Sequence, residues 1–188
     1  MDVLVCFIVY MAGFFLTVSV DSIVRIGKHA VDNNKTVCLN LSAPFIPQFF
    51  GDQLAAAMPF VDFMFGNETE IVAYGEAMGF GKEIPEIMLK LSALPKASGA
   101  RARVVVITQG SNDTLVATNG AITNYPVESL DKELIVDTNG AGDAFVGGFL
   151  ARLAEGKPIA ECVRSGTFSA RTVIQFSGCA FPKECNFV

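Results

Sequence analysis

The residue types able to do chemistry concentrate in Asp137-Thr138-Asn139-Gly140-Ala141-Gly142-Asp143. Two carboxylates bracket a turn that holds two glycines, and a helical pattern follows: Phe145, Phe149 and Leu153 on one stripe, Val146 and Leu150 beside it. Gly156, ahead of Lys157-Pro158, stops that helix. The helix therefore begins near Ala141, where the first backbone N–H groups have no intrahelical acceptor. Gly140 and Gly142 carry no Cβ, so an anion can come close to those donors, and the helix dipole adds its attraction. The result is a cradle for phosphate. Asp143 is out of place there, since a carboxylate repels phosphate, unless it takes a proton from a hydroxyl that attacks the phosphate. Three readings compete. The plainest is a glycine turn with Asp143 as a first-turn acid favoured by the dipole. A dinucleotide fingerprint fits less well, because Gly140-x-Gly142 is followed by Gly147 and not by a glycine three positions on. No GxxxxGK[ST] phosphate loop occurs in the sequence. Phosphoryl transfer with an aspartate base is the chemically specific reading.

The elements that must position this turn read as alternating strands and helices. Leu134-Ile135-Val136 looks like the end of a buried strand feeding the turn. Phe14 to Val18 reads as a core strand ending at a loop. Ser19 caps a helix to about Asp32, with Ile23, Ile26 and Ala30 on its buried stripe. Thr36 to Leu41 is a strand, completing a β-α-β unit, and Ser42-Ala43-Pro44-Phe45 is a loop at that strand's C-terminal end, the edge where open α/β sheets bind ligands. Phe45 alone is as well explained by a core or turn role. Gln53 to Met58 is a short helix and Phe60 to Phe65 a strand. Asn67 then opens a helix reaching Met78, with Asn67 as N-cap and Glu70 at N3 in a capping arrangement that needs no function. Glu83 to Leu94 is helical, Lys96 to Arg103 a basic surface loop exposed for solvation, and Val104 to Thr108 an apolar strand. Thr114 to Thr118 and Ile122 to Val127 form a hairpin around Asn119-Gly120. Ile159 to Phe176 is the last helix, and Gly178 to Pro182 a turn.

Composition bounds these readings. With 188 residues the chain is one domain or a large piece of one. The hydrophobic content of 51% and mean hydropathy of +0.44 are high, and the charged content of 18% is low against a usual ~25%. A buried parallel sheet, whose strands are covered on both faces, accounts for this, as would a fold whose remaining part covers apolar surface. A membrane protein fits less well, because the apolar residues are dispersed between caps and turns. Val3 to Val20 is long enough for a signal peptide or anchor, but Asp2 stands where a basic flank belongs and Gly13 interrupts the run. The net charge of −5 argues against nucleic acid as a main partner. The cysteines (Cys6, Cys38, Cys162, Cys179 and Cys185) are odd in number and lack zinc-like pairs, so reduced, mostly buried thiols are expected. The single histidine, His29, lies in an amphipathic segment, which disfavours a histidine-based nucleophilic centre. Sequons at Asn34, Asn40, Asn67 and Asn112 would matter only in an exported chain, and the placement of Asn40 and Asn67 at a strand end and a helix cap speaks mildly against export.

The Asp137–Asp143 stretch resembles the C-terminal signature of the ribokinase-like (PfkB) sugar and nucleoside kinases. Ala12-Gly13-Phe14-Phe15-Leu16-Thr17-Val18-Ser19, Asn40-Leu41-Ser42-Ala43-Pro44-Phe45, Phe65-Gly66-Asn67-Glu68-Thr69-Glu70 and Gly178-Cys179-Ala180-Phe181-Pro182 resemble the adenosine kinase branch. The resemblance runs from about Ala12 to the end and covers the family's C-terminal half. It implies an α/β, ribokinase-like three-layer α-β-α fold with a mostly parallel central sheet, without the family's N-terminal part and lid. Residues 1–11 are then a divergent extension and 12–188 the C-terminal part of the kinase domain.

The resemblance also implies roles. Asp143 is the base, and Gly140, Ala141 and Gly142 supply the anion hole. Asn67 and Glu70 match the family's N-x-x-E motif, which organises Mg2+ and phosphates, Glu70 acting through water. Thr108, Gln109, Gly110 and Asn139 contact ATP, with Phe168 and Ala170 near its adenine. Phe14 and Phe45 line the nucleoside pocket with Gly140 and Asp143. Asp137 helps bind a monovalent cation such as K+. The reaction implied is transfer of the ATP γ-phosphate to the 5′-hydroxyl of adenosine, giving AMP in purine salvage, in a cytoplasmic or also nuclear protein; the full-length family is monomeric, and an apolar edge exposed in this half is a route to association. The family's ribose clamp lies outside the matched half. Two alternatives therefore stay open: a nucleotide-binding remnant without turnover, and a kinase for another sugar or nucleoside.

Overall fold

The computed structural model describes residues 7–178, 180–184 and 186–187. Its sheet consists of β1 (Ile8–Ala12), β2 (Thr36–Asn40), β3 (Phe63–Asn67), β4 (Val104–Gln109), β5 (Asn112–Thr118) and β6 (Ala121–Tyr125), hydrogen-bonded in that order. The first four run parallel, with Ile8 opposite Thr36, Cys38 opposite Phe63 and Phe63 opposite Val104. Consecutive buried residues along a strand face opposite sides of a sheet. Val37–Asn40 and Val104–Ile107 are buried throughout, so both faces of these central strands are covered, which explains the apolar runs. The mostly parallel α/β architecture is the expected one. The last two strands follow by two-residue links, which only antiparallel neighbours permit. Asn119 and Gly120 both take positive φ, 51° and 74°, as a tight hairpin turn requires.

Parallel neighbours need crossovers, supplied by α1 (Val20–Asp32), α2 (Phe45–Phe49) with α3 (Gly51–Ala57), and α4 (Glu68–Ala77) with α5 (Ile84–Ser92). Because the strand order is sequential, right-handed crossovers put α1 to α5 on one face. Ser19 caps α1 as expected, accepting the Ser22 N–H at 3.3 Å, a bond whose loss typically costs ~1 kcal/mol. Ile23 and Ala30 are buried beneath this helix, and Ile26 is half-buried.

The chain divides into two compact units. One is the chain up to Gln109 together with Leu115–Asn124; the other is Gly110–Thr114 and the chain from Tyr125. In the second unit α6 (Ala141–Ala154) packs on α7 (Ile159–Val173). Glycine makes that approach close: a Cβ on Gly148 would lie 2.5 Å from the Ser165 carbonyl oxygen, and one on Gly166 2.7 Å from that of Phe145. Phe145, Val146 and Phe149 are buried here as the stripe predicts, and Gly156, at φ 71°, follows the helix end.

Several local expectations need correction. Phe14 to Val18 is no strand: β1 ends at Ala12, and Gly13–Thr17 forms a 3-10 helix. The cause is Gly13, where an added Cβ would stand 2.5 Å from the Asn40 carbonyl oxygen, so the chain turns against β2 one residue after β1. The first four residues of β1 fall in the segment 1–11 that the sequence set apart as an extension, and the strand pairs with β2. The strand expected from Phe60 begins only at Phe63, because Met58–Phe60 closes a 3-10 turn. Phe45 does not end a loop but opens α2. Leu134-Ile135-Val136 is not a buried strand end. A 3-10 turn (Lys132–Leu134) leads into an exposed stretch, and the N–H groups of Val136 and Asp137 both donate to the Ile174 carbonyl.

The segment Lys96 to Arg103 is the largest surprise: its backbone is partly exposed, but its cations Lys96, Arg101 and Arg103 turn inward instead of into solvent. Asp62, nearly buried, accepts from the Val37 N–H at 2.9 Å, pairs with Lys96, and meets Arg101 Nη1 at 3.3 Å. Arg103 is 1% exposed and donates to the carbonyls of Met58, Val61, Leu91, Leu94 and Pro95. These bonds compensate a buried guanidinium that would otherwise be prohibitive. The cluster ties the starts of β2, β3 and β4 together. Cys38 and Cys162 are buried free thiols, while Cys6, Cys179 and Cys185 lie outside the described residues. None of the described helices is long and apolar enough to cross a membrane.

Candidate active site

Four parallel strands bring their C-terminal ends to one edge of the first unit. Phe14 follows β1, Phe45 follows β2, Asn67 ends β3, and Thr108 stands opposite Asn67 near the end of β4. Such an edge is where open α/β sheets bind ligands.

At the β1 and β2 ends, the Gly13 N–H donates to Ser42 Oγ at 2.9 Å, and Ser42 itself takes a left-handed φ of 66°. Asn40 Oδ1 accepts the Ser42 N–H at 3.1 Å and so fixes this strained residue. Together they bring the Phe14 and Phe45 rings to a centroid separation of 6.1 Å at 41°, both half in solvent. Phe50 closes on Phe45 edge-on at 6.4 Å. The sequence reading placed Ser42 in the loop after β2 but gave it no role, because its partner Gly13 lies far back along the chain.

At the β3 and β4 ends, Asn67 caps α4. Its Oδ1 accepts the N–H groups of Thr69 and Glu70 at 3.0 and 2.9 Å. Glu70 answers with both oxygens: Oε2 accepts the Asn67 N–H and Oε1 its side-chain amide, each at 3.0 Å. The carboxylate is buried. Thr108 Oγ1 donates to the Gly66 carbonyl at 3.4 Å. Gln109 follows in β4, and Gly110, at φ 58°, turns the chain towards β5. Among the described residues no three His, Cys, Asp or Glu side chains cluster as a metal cage. A carboxylate reaching Mg2+ through water, with phosphates completing the shell, needs no such cage, and Glu70 with Asn67 fits that mode.

In the second unit Gly140 is the N-cap of α6, at φ 77°, a left-handed conformation that glycine adopts without strain. No side chain caps this helix. The Ala141 N–H bends back to the Thr138 carbonyl at 3.3 Å, and that of Ala144 reaches Gly140 at 2.8 Å. The N–H groups of Gly142 and Asp143, between them, belong to the first turn and have no intrahelical acceptor. Both residues are exposed, and a Cβ built on Gly142 would meet open space. Ahead of the turn, Asp137 Oδ1 accepts the Asn139 N–H at 2.9 Å and Oδ2 that of Gly178 at 3.1 Å. Those bonds, Asn139's first, hold its carboxyl below the usual carboxylate range. The ion pair of Arg171 with Glu128, at 2.5 Å, fastens the segment before the turn to α7.

Phe168 and Ala170 lie half-buried on α7, and the Phe168 ring packs on Phe187 at 5.2 Å. The sequence did not anticipate that contact. The structure thus gathers Phe14 with Phe45, Asn67 with Glu70 and Thr108, and Asp137 with the Asn139–Asp143 turn.

The sequence matches the pfkB family carbohydrate kinase profile over residues 7–185. Adenosine kinase 1 of Arabidopsis thaliana is 51% identical over 179 residues, which make up 95% of this chain and 52% of that protein. The adenosine kinase of Schizosaccharomyces pombe is 46% identical across 93% of this chain and 52% of its own length. Among solved structures, Anopheles gambiae adenosine kinase in complex with P1,P4-di(adenosine-5) tetraphosphate superposes with a TM-score of 0.90 at 42% identity, covering 95% of this chain and 54% of that one. Schistosoma mansoni adenosine kinase in complex with 2-fluoroadenosine gives 0.90 at 34% identity over 94% and 53%. The chain spans about half the length of the curated relatives it matches.

Proposed function

The chain belongs to the pfkB family of carbohydrate kinases, and from that premise we propose that it supplies the phosphate cradle and base of an adenosine kinase. The observation carrying this reading is the uncapped start of α6, with Gly140 left-handed, the first-turn donors open to solvent and Asp143 beside them. The similarity to adenosine kinases, one of them solved with 2-fluoroadenosine, supports adenosine as the acceptor.

Asp143 takes the proton of the adenosine 5′-hydroxyl. That oxygen bonds to the γ-phosphorus of ATP as the bond to the β,γ-bridging oxygen breaks, leaving AMP and ADP. The attacked phosphoryl group gathers little covalent help in such transfers, so positioning and charge stabilisation do most of the work. The open N–H groups at the Gly140–Gly142 turn, Gly142's first among them, face that charge, and one such donor is commonly worth ~3 kcal/mol. Asn67 and Glu70 would hold Mg2+ through water, which when bound neutralises phosphate charge. Thr108, Gln109, Gly110 and Asn139 contact the nucleotide, with Phe168 and Ala170 towards its adenine. Phe14 and Phe45 offer ring faces to the nucleoside, and Asp137 offers a carboxylate to K+. The protein works as a cytosolic monomer in purine salvage. Burial of Met11, Gly13 and Leu16 supports keeping the first segment in the mature protein, which intact-mass measurement checks.

The test is AMP formation from adenosine and ATP, by the chain and by the chain fused to the unmatched half of Arabidopsis adenosine kinase 1, against a panel of ribose and other nucleosides. Turnover by the fusion on adenosine is expected. A fusion that neither binds MgATP in calorimetry nor phosphorylates any acceptor sinks the proposal, and preference for another acceptor redirects it.

A further inference from the structure

Phe187 sits in a seat built by α6 and α7 that the phosphate chemistry does not use. The guanidinium of Arg152, on α6, lies 4.8 Å from its ring centroid, and that of Arg164, on α7, 5.0 Å. Phe168 adds a tilted ring contact at 5.2 Å. Both guanidiniums are within cation–π reach. Arg152 is itself steadied by Glu155 at 2.7 Å. Earlier in the same tail, the Gly178 N–H donates to Asp137 Oδ2. The other oxygen of Asp137 holds the N–H of Asn139, the residue before Gly140. The tail is therefore fixed at two points, one on the helix pair and one on the carboxylate that shapes the turn.

We propose that Phe187 is a positioning residue for the phosphate site: its seat among Arg152, Arg164 and Phe168 keeps Gly178 on Asp137, and so keeps the Asn139–Gly140 turn in its anion-facing shape. This rests on the reading that the Gly140–Gly142 turn cradles ATP. The seat demands an aromatic ring. Leucine fills similar space but offers no π face to the guanidiniums, whereas tyrosine keeps one.

The experiment uses the full chain with F187L and F187Y, reading amide hydrogen exchange by NMR and MgATP affinity by calorimetry. In F187L, protection at the Gly178 and Asn139 amides should fall about 5- to 30-fold, the equivalent of two exposed cation–π contacts, with β2 and β3 amides unchanged. MgATP affinity should weaken by a comparable factor, and F187Y should stay within about twofold of the parent on both readouts. Unchanged Gly178 protection in F187L overturns the proposal, as does lost protection without any change in MgATP affinity. Should the parent itself bind no MgATP, the phosphate reading fails, and the two amides alone still decide whether Phe187 holds the turn.

Discussion

The starts of α4 and α6 face the same physical problem and solve it in opposite ways. At α4 the chain satisfies its own donors: Asn67 takes the N–H groups of Thr69 and Glu70, the Thr69 hydroxyl adds a bond to the same oxygen at 2.8 Å, and Glu70 reaches back to Asn67. At α6 the N-cap is a glycine in a left-handed conformation, no side chain closes the turn, the Ala141 N–H bends back to the Thr138 carbonyl, and Gly142 and Asp143 are exposed. Side chains cap α1 and α4, whereas α2, α3, α5, α6 and α7 have no such cap; among these starts, that of α6 is set apart by a left-handed glycine at its N-cap. A glycine there leaves the first-turn donors uncrowded by any Cβ, and that is the difference between the two starts. The closed start holds the fold; in our proposal the open one receives phosphate.

The sharpest way to break that contrast is at Asp143. In the fusion with the relative's other half, Asp143→Asn should leave MgATP binding nearly intact and lower turnover at least ~100-fold, as removal of a general base does. Turnover within a few-fold of the parent would show that Asp143 is only a dipole-favoured acid, and the open start would lose its catalytic meaning.

The two turn glycines separate strain from access. Gly140→Ala forces a side chain into the left-handed region and should cost ~1–2 kcal/mol in urea denaturation. Gly142→Ala meets open space and replaces a poor helix former, so stability should hold or rise by up to ~1 kcal/mol. MgATP affinity should nonetheless fall, because the methyl group occupies the space an anion needs. Unchanged affinity in Gly142→Ala would mean that phosphate does not sit on this turn. At the closed start, Asn67→Ala should destabilise by ~1 kcal/mol through lost capping, read from the denaturation midpoint. A loss of MgATP binding without loss of stability would instead make α4 the ligand-bearing start.

The starts of α1, α4 and α6 were legible in the sequence because capping is local: Ser19, Asn67 with Glu70, and Gly140 act within a turn of themselves. The hairpin at Asn119-Gly120 was legible for the same reason. The parallel sheet followed from apolar runs spaced by helical patterns. What stayed hidden was set by partners far along the chain. Lys96, Arg101 and Arg103 read as solvated because nothing near them shows that Asp62 and a ring of carbonyls await them. Leu134-Ile135-Val136 has the composition of a strand end, but its nearest partner is the carbonyl of Ile174. Phe187 gave no sign of its seat, since two arginines and a phenylalanine converge on it from different helices. For the candidate site, the motif residues were visible, while the geometry that joins Phe14 to Phe45 through Gly13 and Ser42 was not.

Glu70 carries the smallest expected effect and tests whether the closed start is closed to ligands as well. Its two oxygens already hold the backbone and side-chain amides of Asn67. Glu70→Gln keeps one acceptor for the backbone N–H but turns an amide donor towards another donor, so it loses about one modest hydrogen bond, roughly 0.5–1 kcal/mol. A carboxylate that also reaches Mg2+ through water loses its charge in the same substitution. Calorimetry with ATP alone and with MgATP separates the two effects. Affinity for ATP without metal should match the parent, and affinity for MgATP should drop several-fold. If both affinities match the parent while the denaturation midpoint falls by the small expected amount, Glu70 is a cap and nothing more. The whole burden of phosphate recognition would then shift away from α4, towards the uncapped turn of α6.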